Sequence, residues 1–340
     1  MGVKKYDVLF YIGRFQPLHN GHISIINRAL ELADRVVIMV GTPNSYRSLR
    51  NPFTYEEVSN CIKTMYPDNN VHVVELRDAV YSDDLWIQEV LATIGKEILY
   101  KLLGSSKCAI IGCDKDSTTY YLKMLEQYID IEYVKTDNQS INSTDIRYAL
   151  YNYGNIIYLK EYIPNYVYTF LENFRSTREF VYLKNEYDFC TTFKRPYMQL
   201  KYPPIFSTVD GLILTEGEDI EDCEILLIKR KNYPGKDLYA LPGGFINHDE
   251  TIVGAFKREL SEEIGIVPDF IDDPIVFDSV HRDPRGRIIT HCFCSYYLNK
   301  PEIKVGDDAE DYIWIKYSNL DNIRDKMYSD HYDIIKKLFT

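Results

Sequence analysis

The sequence predicts two successive domains, a parallel-sheet α/β domain over residues 1–190 and an α+β domain over residues 200–340. Three observations lead there. A chain of 340 residues is longer than the roughly 100 to 200 residues that one core usually serves. Its first 150 residues alternate apolar strand-like runs with helical periodicity, the pattern of a parallel sheet crossed by helices. Beyond Pro203 and Pro204 the apolar runs are short and surround one strong helix, which reads as α+β.

The elements follow in order. Strands are expected at 8–12, 36–40, 71–76 and 108–111. Between the first two, Ile23, Ile26, Leu30 and Ala33 repeat at helical spacing, so a βαβ unit opens the chain. Thr54 followed by Glu57 is a capping-box pattern that starts the next helix before Val58 and Ile62. Residues 158–187 are Tyr-rich, charged and helical in tendency, and Pro196, Pro203 and Pro204 end that stretch, which places the boundary near 190–203. Strands then follow at 205–214, 225–229, 275–280, 288–298 and 312–316, with a helix over 251–264 and a last apolar face of Ile334, Ile335, Leu338 and Phe339.

Composition narrows the function. Hydrophobic residues are 45% and charged residues 26%, as in globular proteins, and the formal charge of −12 disfavours a nucleic-acid scaffold, which needs clustered Lys and Arg. No run approaches the roughly 20 apolar residues of a membrane span. Seven cysteines without a C-x-x-C pair suit a reduced, cytosolic setting.

Two motifs carry chemistry. After the first strand, Gly13-Arg14-Phe15-Gln16-Pro17-Leu18-His19-Asn20-Gly21-His22 runs into the first helix. His19 and His22, at i and i+3, face one side of a helix N-terminus, where backbone N–H groups already favour an anion. In the second domain Gly244, Glu250, Arg258, Glu259, Glu262, Glu263 and Gly265 form a spaced set. Glu259, Glu262 and Glu263 share one helix face and should repel, with no basic residue of the motif neutralising all of them. A hard divalent cation, Mg²⁺ or Mn²⁺, would turn that repulsion into binding, with Glu250 joining from the loop end. Gly243 and Gly244 are expected in a sharply bending loop before the helix, and Gly265 as its left-handed stop.

The first run resembles the (H/T)-x-G-H signature of α/β nucleotidyltransferases, and Ile141-Asn142-Ser143-Thr144-Asp145-Ile146-Arg147 resembles their I-S-S-T-x-x-R motif with Asn at the first Ser. The second set resembles the Nudix box at every defined position. With Arg50-Asn51-Pro52-Phe53, Tyr81 to Trp86 and Gly112-Cys113-Asp114-Lys115-Asp116, nearly the whole chain resembles the family of bifunctional nicotinamide mononucleotide adenylyltransferases and Nudix hydrolases.

That resemblance implies a Rossmann-like nucleotidyltransferase domain followed by a Nudix domain. It implies NAD and pyrophosphate from ATP and nicotinamide mononucleotide, with Mg²⁺ as the triphosphate counter-ion. His19, His22 and Arg14 would hold the triphosphate, and Ser143 and Thr144 would cap a helix and bond phosphate. Arg147 would reach the outer phosphates and Arg50 would add charge. Trp86 would stack on nicotinamide, beside Asp83 or Asp84, and Gly13, Lys115 and Asp116 complete the nucleotide site. The flanks of the second motif resemble ADP-ribose pyrophosphatases and imply hydrolysis to AMP and ribose 5-phosphate, with Arg282, Arg285 and Arg287 as a cationic phosphate loop and Asp308 as candidate general base. The open alternative is a different small-molecule nucleotidyltransferase fused to a Nudix ligand-sensing module.

Overall fold

The computed structural model describes residues 4–41, 45–68, 70–99, 107–113, 120–134, 142–268, 272–306 and 309–339. It divides into two compact units, Met1–Lys184 and Asn185–Thr340.

The first unit is a parallel sheet of β1 (Tyr6–Gly13), β2 (Ala33–Gly41), β3 (Val71–Leu76), β4 (Cys108–Gly112) and β5 (Ile131–Tyr133) in the order β3-β2-β1-β4-β5. Leu9, Phe10 and Val36 to Met39 are fully buried, as expected of central strands covered on both faces. The helices α1 (Asn20–Leu32), α2 (Tyr55–Met65), α3 (Asp83–Leu99), α4 (Tyr120–Leu125) and α5 (Ser143–Asn152) connect or follow the strands. Ile87, Val90 and Ile94 of α3 and Leu122 and Leu125 of α4 join Phe10, Met39 and Ile110 in one core. Thr54 and Glu57 form both bonds of the expected capping box. The buried stripe of α1 is Ile25, Ile26 and Ala29, with Ile23 and Leu30 only half-buried, and Ala33 already belongs to β2.

The strand order reverses between β1 and β4. Ligands of such sheets bind in the crevice outside the strand ends at this point, which is where Gly13 ends β1 and the first motif begins. Helix α6 (Asn165–Phe174) follows, then α7 (Arg178–Lys194), within which the division between the units falls.

The second unit holds a mixed sheet, β10-β11-β6-β7-β12, made of β6 (Phe206–Thr215), β7 (Glu224–Arg230), β10 (Ile275–Phe277), β11 (Ile288–Tyr297) and β12 (Ala309–Lys316). Strand β11 runs parallel to β6 over its whole length, and β12 antiparallel to β7. Short strands β8 (Tyr239–Ala240) and β9 (Gly243–Phe245) pair with β7 and β6. Helix α8 (Ile252–Ile264) packs on β6, where a Cβ on Gly211 would come within 2.8 Å of the Phe256 ring. Phe256 stacks on Phe293 of β11 at 4.4 Å. Thr251 caps α8, and Gly265 ends it at φ 71°, the left-handed stop read from the sequence. Helix α9 (His331–Leu338) buries His331, Ile334 and Ile335.

Candidate active sites

In the first unit the motif builds a helix cap from imidazoles. His19, the N-cap of α1, accepts the Gly21 N–H on Nδ1 at 3.1 Å, and His22 Nδ1 accepts the His19 N–H at 3.3 Å. Their ring centroids are 3.8 Å apart. A ring nitrogen that accepts carries no hydrogen, so these partners assign both imidazoles as neutral tautomers with the hydrogen on Nε2. The pair thus presents Nε2–H donors beside the helix N-terminus, an arrangement suited to an anion.

The loop beneath is fixed from several sides. Phe15 is buried at φ 54°, and a Cβ on Gly13 would lie 2.8 Å from its ring, so Gly13 is needed for packing. The Gln16 amide clamps both the N–H and the carbonyl of Phe53, at 3.0 and 2.8 Å. From α5, Arg147 donates to Gln16 O at 2.6 Å and to Thr144 Oγ1 at 3.1 Å, while Ser143 donates to Pro17 O at 3.1 Å. The two motifs therefore meet, although they lie 126 residues apart at Ser143 and Pro17. The cap of α5 differs from expectation: Asn142, and neither Ser143 nor Thr144, is the N-cap, accepting the Asp145 N–H at 2.9 Å. Asn is a strong N-cap residue, so the departure from Ser supplies the cap.

Charge concentrates here. Burial, and then the charges of Arg14 and Arg147, lower the Arg50 guanidinium to about 10. Arg147 is likewise lowered to about 10, by burial and with Arg14 contributing. Guanidiniums that repel one another where they are partly desolvated are stabilised by an anion between them.

Trp86 is half-buried on α3, its ring edge-to-face with Tyr121 at 5.7 Å, and packs against the core. Asp83 and Asp84 are exposed in the first turn of α3. Asp83 and Arg14 both act on the Tyr120 hydroxyl, and so does Asp78, a neighbour the sequence did not single out. Lys115 and Asp116 lie outside the described residues.

The second motif corrects two expectations. Gly243 and Gly244 are strand residues, paired with Asp210 and Val209 of β6 rather than forming an open loop. Gly243 sits at φ +151°, where a Cβ would lie 2.1 Å from Val209 O, and a Cβ on Gly244 would lie 2.5 Å from Glu259 Oε1. The acidic face is also not left to repel. Arg258 forks onto Glu250 at 3.0 and 2.7 Å, reaches Glu259 and Glu262 at 2.8 Å each, and donates to Phe245 O at 3.0 Å. The Arg258 bonds, joined by the Asn247 N–H, hold the Glu250 carboxyl down at about 2. Glu263 is buried and accepts the Gly243 N–H at 2.8 Å. Among the described residues no three His, Cys, Asp or Glu side chains are gathered as a metal-binding group.

A cavity of about 320 Å³ opens beside β9, lined by Glu259, Glu263, Gly243, Gly244, Arg282 and Arg285, among others. Glu250 and Glu262 are not in its wall. Arg285 is gripped by Asp283 at 3.0 and 2.7 Å and lies over the Phe245 ring at 4.7 Å. Burial opposes charge on both partners, yet their pairing holds the Asp283 carboxyl below and the Arg285 guanidinium above the ordinary values. Arg282 is buried against Asp330 at 2.9 and 3.1 Å and near Asp210 at 3.5 Å, with Thr290 donating to Asp210 at 2.6 Å. Arg287 is turned to Asp278 and does not line the cavity, so the expected loop of arginines is reduced by one. Asp210, Thr290 and Tyr328 had no signal in the sequence, since their partners lie far along the chain; Asp283, two residues from Arg285, was within reach of local spacing and was not singled out. Asp308 lies outside the described residues.

Comparison with known proteins agrees with this division. Residues 10–149 match the cytidylyltransferase-like family model and residues 206–338 the NUDIX domain model. A bifunctional NMN adenylyltransferase/ADP-ribose pyrophosphatase of Francisella tularensis, solved with AMP and an Mn ion, is 33% identical at a TM-score of 0.86 and covers 98% of either chain. A nicotinamide/nicotinic acid mononucleotide adenylyltransferase of Acinetobacter baylyi is 31% identical over 187 residues, 54% of this chain and 94% of that protein. An ADP-ribose pyrophosphatase of Methanocaldococcus jannaschii is 41% identical over 128 residues, 38% of this chain and 69% of its own length. No helix among the described residues is long and apolar enough to cross a membrane.

Proposed function

The chain belongs to the family of bifunctional NMN adenylyltransferases and ADP-ribose pyrophosphatases, and we propose how its own residues divide the two reactions. The N-terminal domain, residues 1–190 in this reading, joins ATP and nicotinamide mononucleotide into NAD and pyrophosphate. The C-terminal domain, residues 200–340, hydrolyses ADP-ribose to AMP and ribose 5-phosphate.

What carries the first assignment is the pair of neutral imidazoles at the N-terminus of α1, with their hydrogens on Nε2, together with the cluster of Arg14, Arg50 and Arg147 whose charges act on one another. In adenylyl transfer a phosphate oxygen of the mononucleotide attacks the α-phosphorus of ATP, and the bond to pyrophosphate breaks. No proton need be removed from an ionised nucleophile. The protein's task is alignment and stabilisation of charge growing on the departing pyrophosphate, which fixed N–H donors and guanidiniums provide. Trp86, with Asp83 and Asp84 at the start of its helix, takes the nicotinamide, while Gly13, Ser143, Thr144, Lys115 and Asp116 complete the nucleotide site.

In the second unit the donor chemistry fits a hard divalent cation, Mg²⁺ or Mn²⁺. Glu259 and Glu263 bring oxygen ligands to the cavity wall, and Gly244 leaves open the space against Glu259 that a Cβ would fill. Glu262 and Glu250 complete the carboxylate set from the Arg258 network. When bound, such an ion neutralises phosphate charge and makes a water more acidic. Arg285, clamped along its Nε–Nη2 edge by Asp283, presents the rest of its guanidinium to a diphosphate. Asp308 is the base assigned to the attacking water.

The test is a product assay on the intact chain, with ATP plus nicotinamide mononucleotide and separately with ADP-ribose, each with Mg²⁺, Mn²⁺ or chelator. NAD with pyrophosphate, and AMP with ribose 5-phosphate, are expected only where metal is supplied. Metal-independent hydrolysis would refute the carboxylate assignment.

A further inference from the structure

His331 starts α9, 90 residues in sequence from its hydrogen-bond partner Leu241, and it lines the same cavity as Glu259, Glu263 and Arg282. It is only 5% exposed. Its Nδ1 accepts the Leu241 N–H at 3.0 Å, just before the Gly243-Gly244 strand. The lone pair of the imidazole is thereby committed, and the hydrogen of the neutral ring sits on Nε2. Among the described residues Nε2 has no hydrogen-bond partner, and it is not sealed from the cavity.

The charged groups around the ring are already matched. Asp330 and Asp210 face it, but Arg282 bonds the first and approaches Oδ2 of the second, the oxygen that also accepts from Thr290. Arg230, the other cation acting on the ring, lies over Tyr328 at 4.4 Å. A buried donor aimed at a polar cavity without a protein acceptor is costly unless something else accepts. The same tautomer excludes a general-base role, because taking a proton on Nδ1 would break the bond to Leu241.

We propose that His331 is a substrate-binding residue of the hydrolase, donating its Nε2–H to an oxygen of the nucleoside diphosphate in the cavity. This rests on the reading of the cavity as the ADP-ribose site. The acceptor is either a diphosphate oxygen or a hydroxyl of the terminal ribose.

Asparagine and glutamine substitutions separate the ring's two bonds in the full-length chain. Asn carries an acceptor at the δ position and keeps the tie to Leu241, but its amide stops short of Nε2. Gln carries a donor out to the ε position. Binding of ADP-ribose and of ADP is measured by calorimetry in chelator, where no turnover occurs, and KM and kcat for ADP-ribose are measured with Mg²⁺.

His331→Asn is expected to melt like the parent, to bind ADP-ribose about 10- to 100-fold more weakly and to raise KM correspondingly, while His331→Gln recovers part of the loss. Equal weakening for ADP puts the acceptor in the diphosphate; ADP binding left intact puts it in the terminal ribose. Parental affinity in His331→Asn, or equal loss in both variants with a lowered melting temperature, overturns the proposal. A parent chain that neither binds nor hydrolyses ADP-ribose sinks the hydrolase reading itself and His331's role with it.

Discussion

Gly243→Ala is the sharpest test of how the second unit aligns its carboxylates. Gly243 lies at φ +151° in β9, with Asp210 of β6 opposite. The added Cβ would sit 2.1 Å from Val209 O and 2.8 Å from Asp210 Cα, backbone atoms that cannot rotate aside. The strand must retreat by roughly 1 Å to restore ordinary contact. That movement stretches the 2.8 Å bond from the Gly243 N–H to the buried Glu263 side chain. A Gly-only backbone region costs about 1 to 3 kcal/mol, and a lost bond to an ionised group about 1.5 to 3 kcal/mol. Together, at about 3 to 6 kcal/mol, they should lower the half-inactivation temperature of ADP-ribose hydrolysis by roughly 6 to 20 °C. The displaced Glu263 should cut kcat/KM by roughly 10²-fold. Both activities are followed on one heated sample, and NAD synthesis should keep its parental profile. Gly244→Ala is the companion: the nearest atoms to its Cβ are those of the Glu259 carboxylate, from 2.5 Å, and that side chain can swing. It should lose hydrolysis while keeping heat resistance. Parental hydrolysis and inactivation temperature in Gly243→Ala would refute the packing account.

Three further outcomes follow from the site geometry. His22→Ala should lower NAD synthesis by roughly 10²- to 10³-fold and leave ADP-ribose hydrolysis intact; equal loss of both in a folded variant would contradict separate sites. Arg147→Met should raise the KM for ATP by at least about tenfold, and Arg147→Lys should recover little, since a point charge cannot hold both Gln16 O and Thr144 Oγ1; a parental KM in the lysine variant would count against this. Glu186 of α7 is fully buried, with one oxygen on the Gly235 N–H and the other without a partner in the described structure, and burial raises its carboxyl to about 7. The folded state therefore holds a proton that the unfolded chain has already released. Its contribution is complete below the unfolded value of 4.5 and is lost as pH rises through about 7, a difference of about 3 kcal/mol. Urea unfolding across that range should show a fall in parental stability that Glu186→Gln lacks, and an unchanged slope in the variant would exclude Glu186 as its source.

What was legible in the sequence was whatever one element encodes by its own spacing. Strands β1, β2 and β4 announce themselves as apolar runs and β3 as an interrupted one, His19 and His22 share a helix end, and Gly265 marks a left-handed stop. Strands β5, β8 and β9, of 3, 2 and 3 residues, are too short to show a period, so Gly243 and Gly244 read as a loop. Reading Glu259, Glu262 and Glu263 as a repelling face overlooked Arg258, which reaches Glu262 at i+4 and also Glu250 in the preceding loop. The first of those pairs was within reach of helical spacing; the second requires knowing where the loop returns. The bonds Leu241–His331, Arg282–Asp330 and Thr290–Asp210, spanning 90, 48 and 80 residues, exist only once the sheet is assembled.

The chain carries a formal charge of −12 yet handles anionic nucleotides, and its two sites meet that difficulty in opposite ways. In the first unit Arg50 and Arg147, though lowered to about 10 by burial and by the neighbouring guanidiniums, stay charged near neutrality. Their repulsion is positive charge held in place by the fold, and a triphosphate relieves it. In the second unit the cavity wall sets Arg230, Arg258, Arg282 and Arg285 against Asp210, Glu259, Glu263 and Asp283, four cations against four anions. Arg282 and Arg285 are committed to carboxylates by short bonds, and Arg258 to three of them. A wall balanced in this way has little net attraction for a diphosphate. On the proposed reading, affinity there comes from directed contacts and from cationic charge that enters with the substrate, and the close fit of Gly243 against Val209 and of Gly244 against Glu259 keeps the α8 carboxylates in line for it.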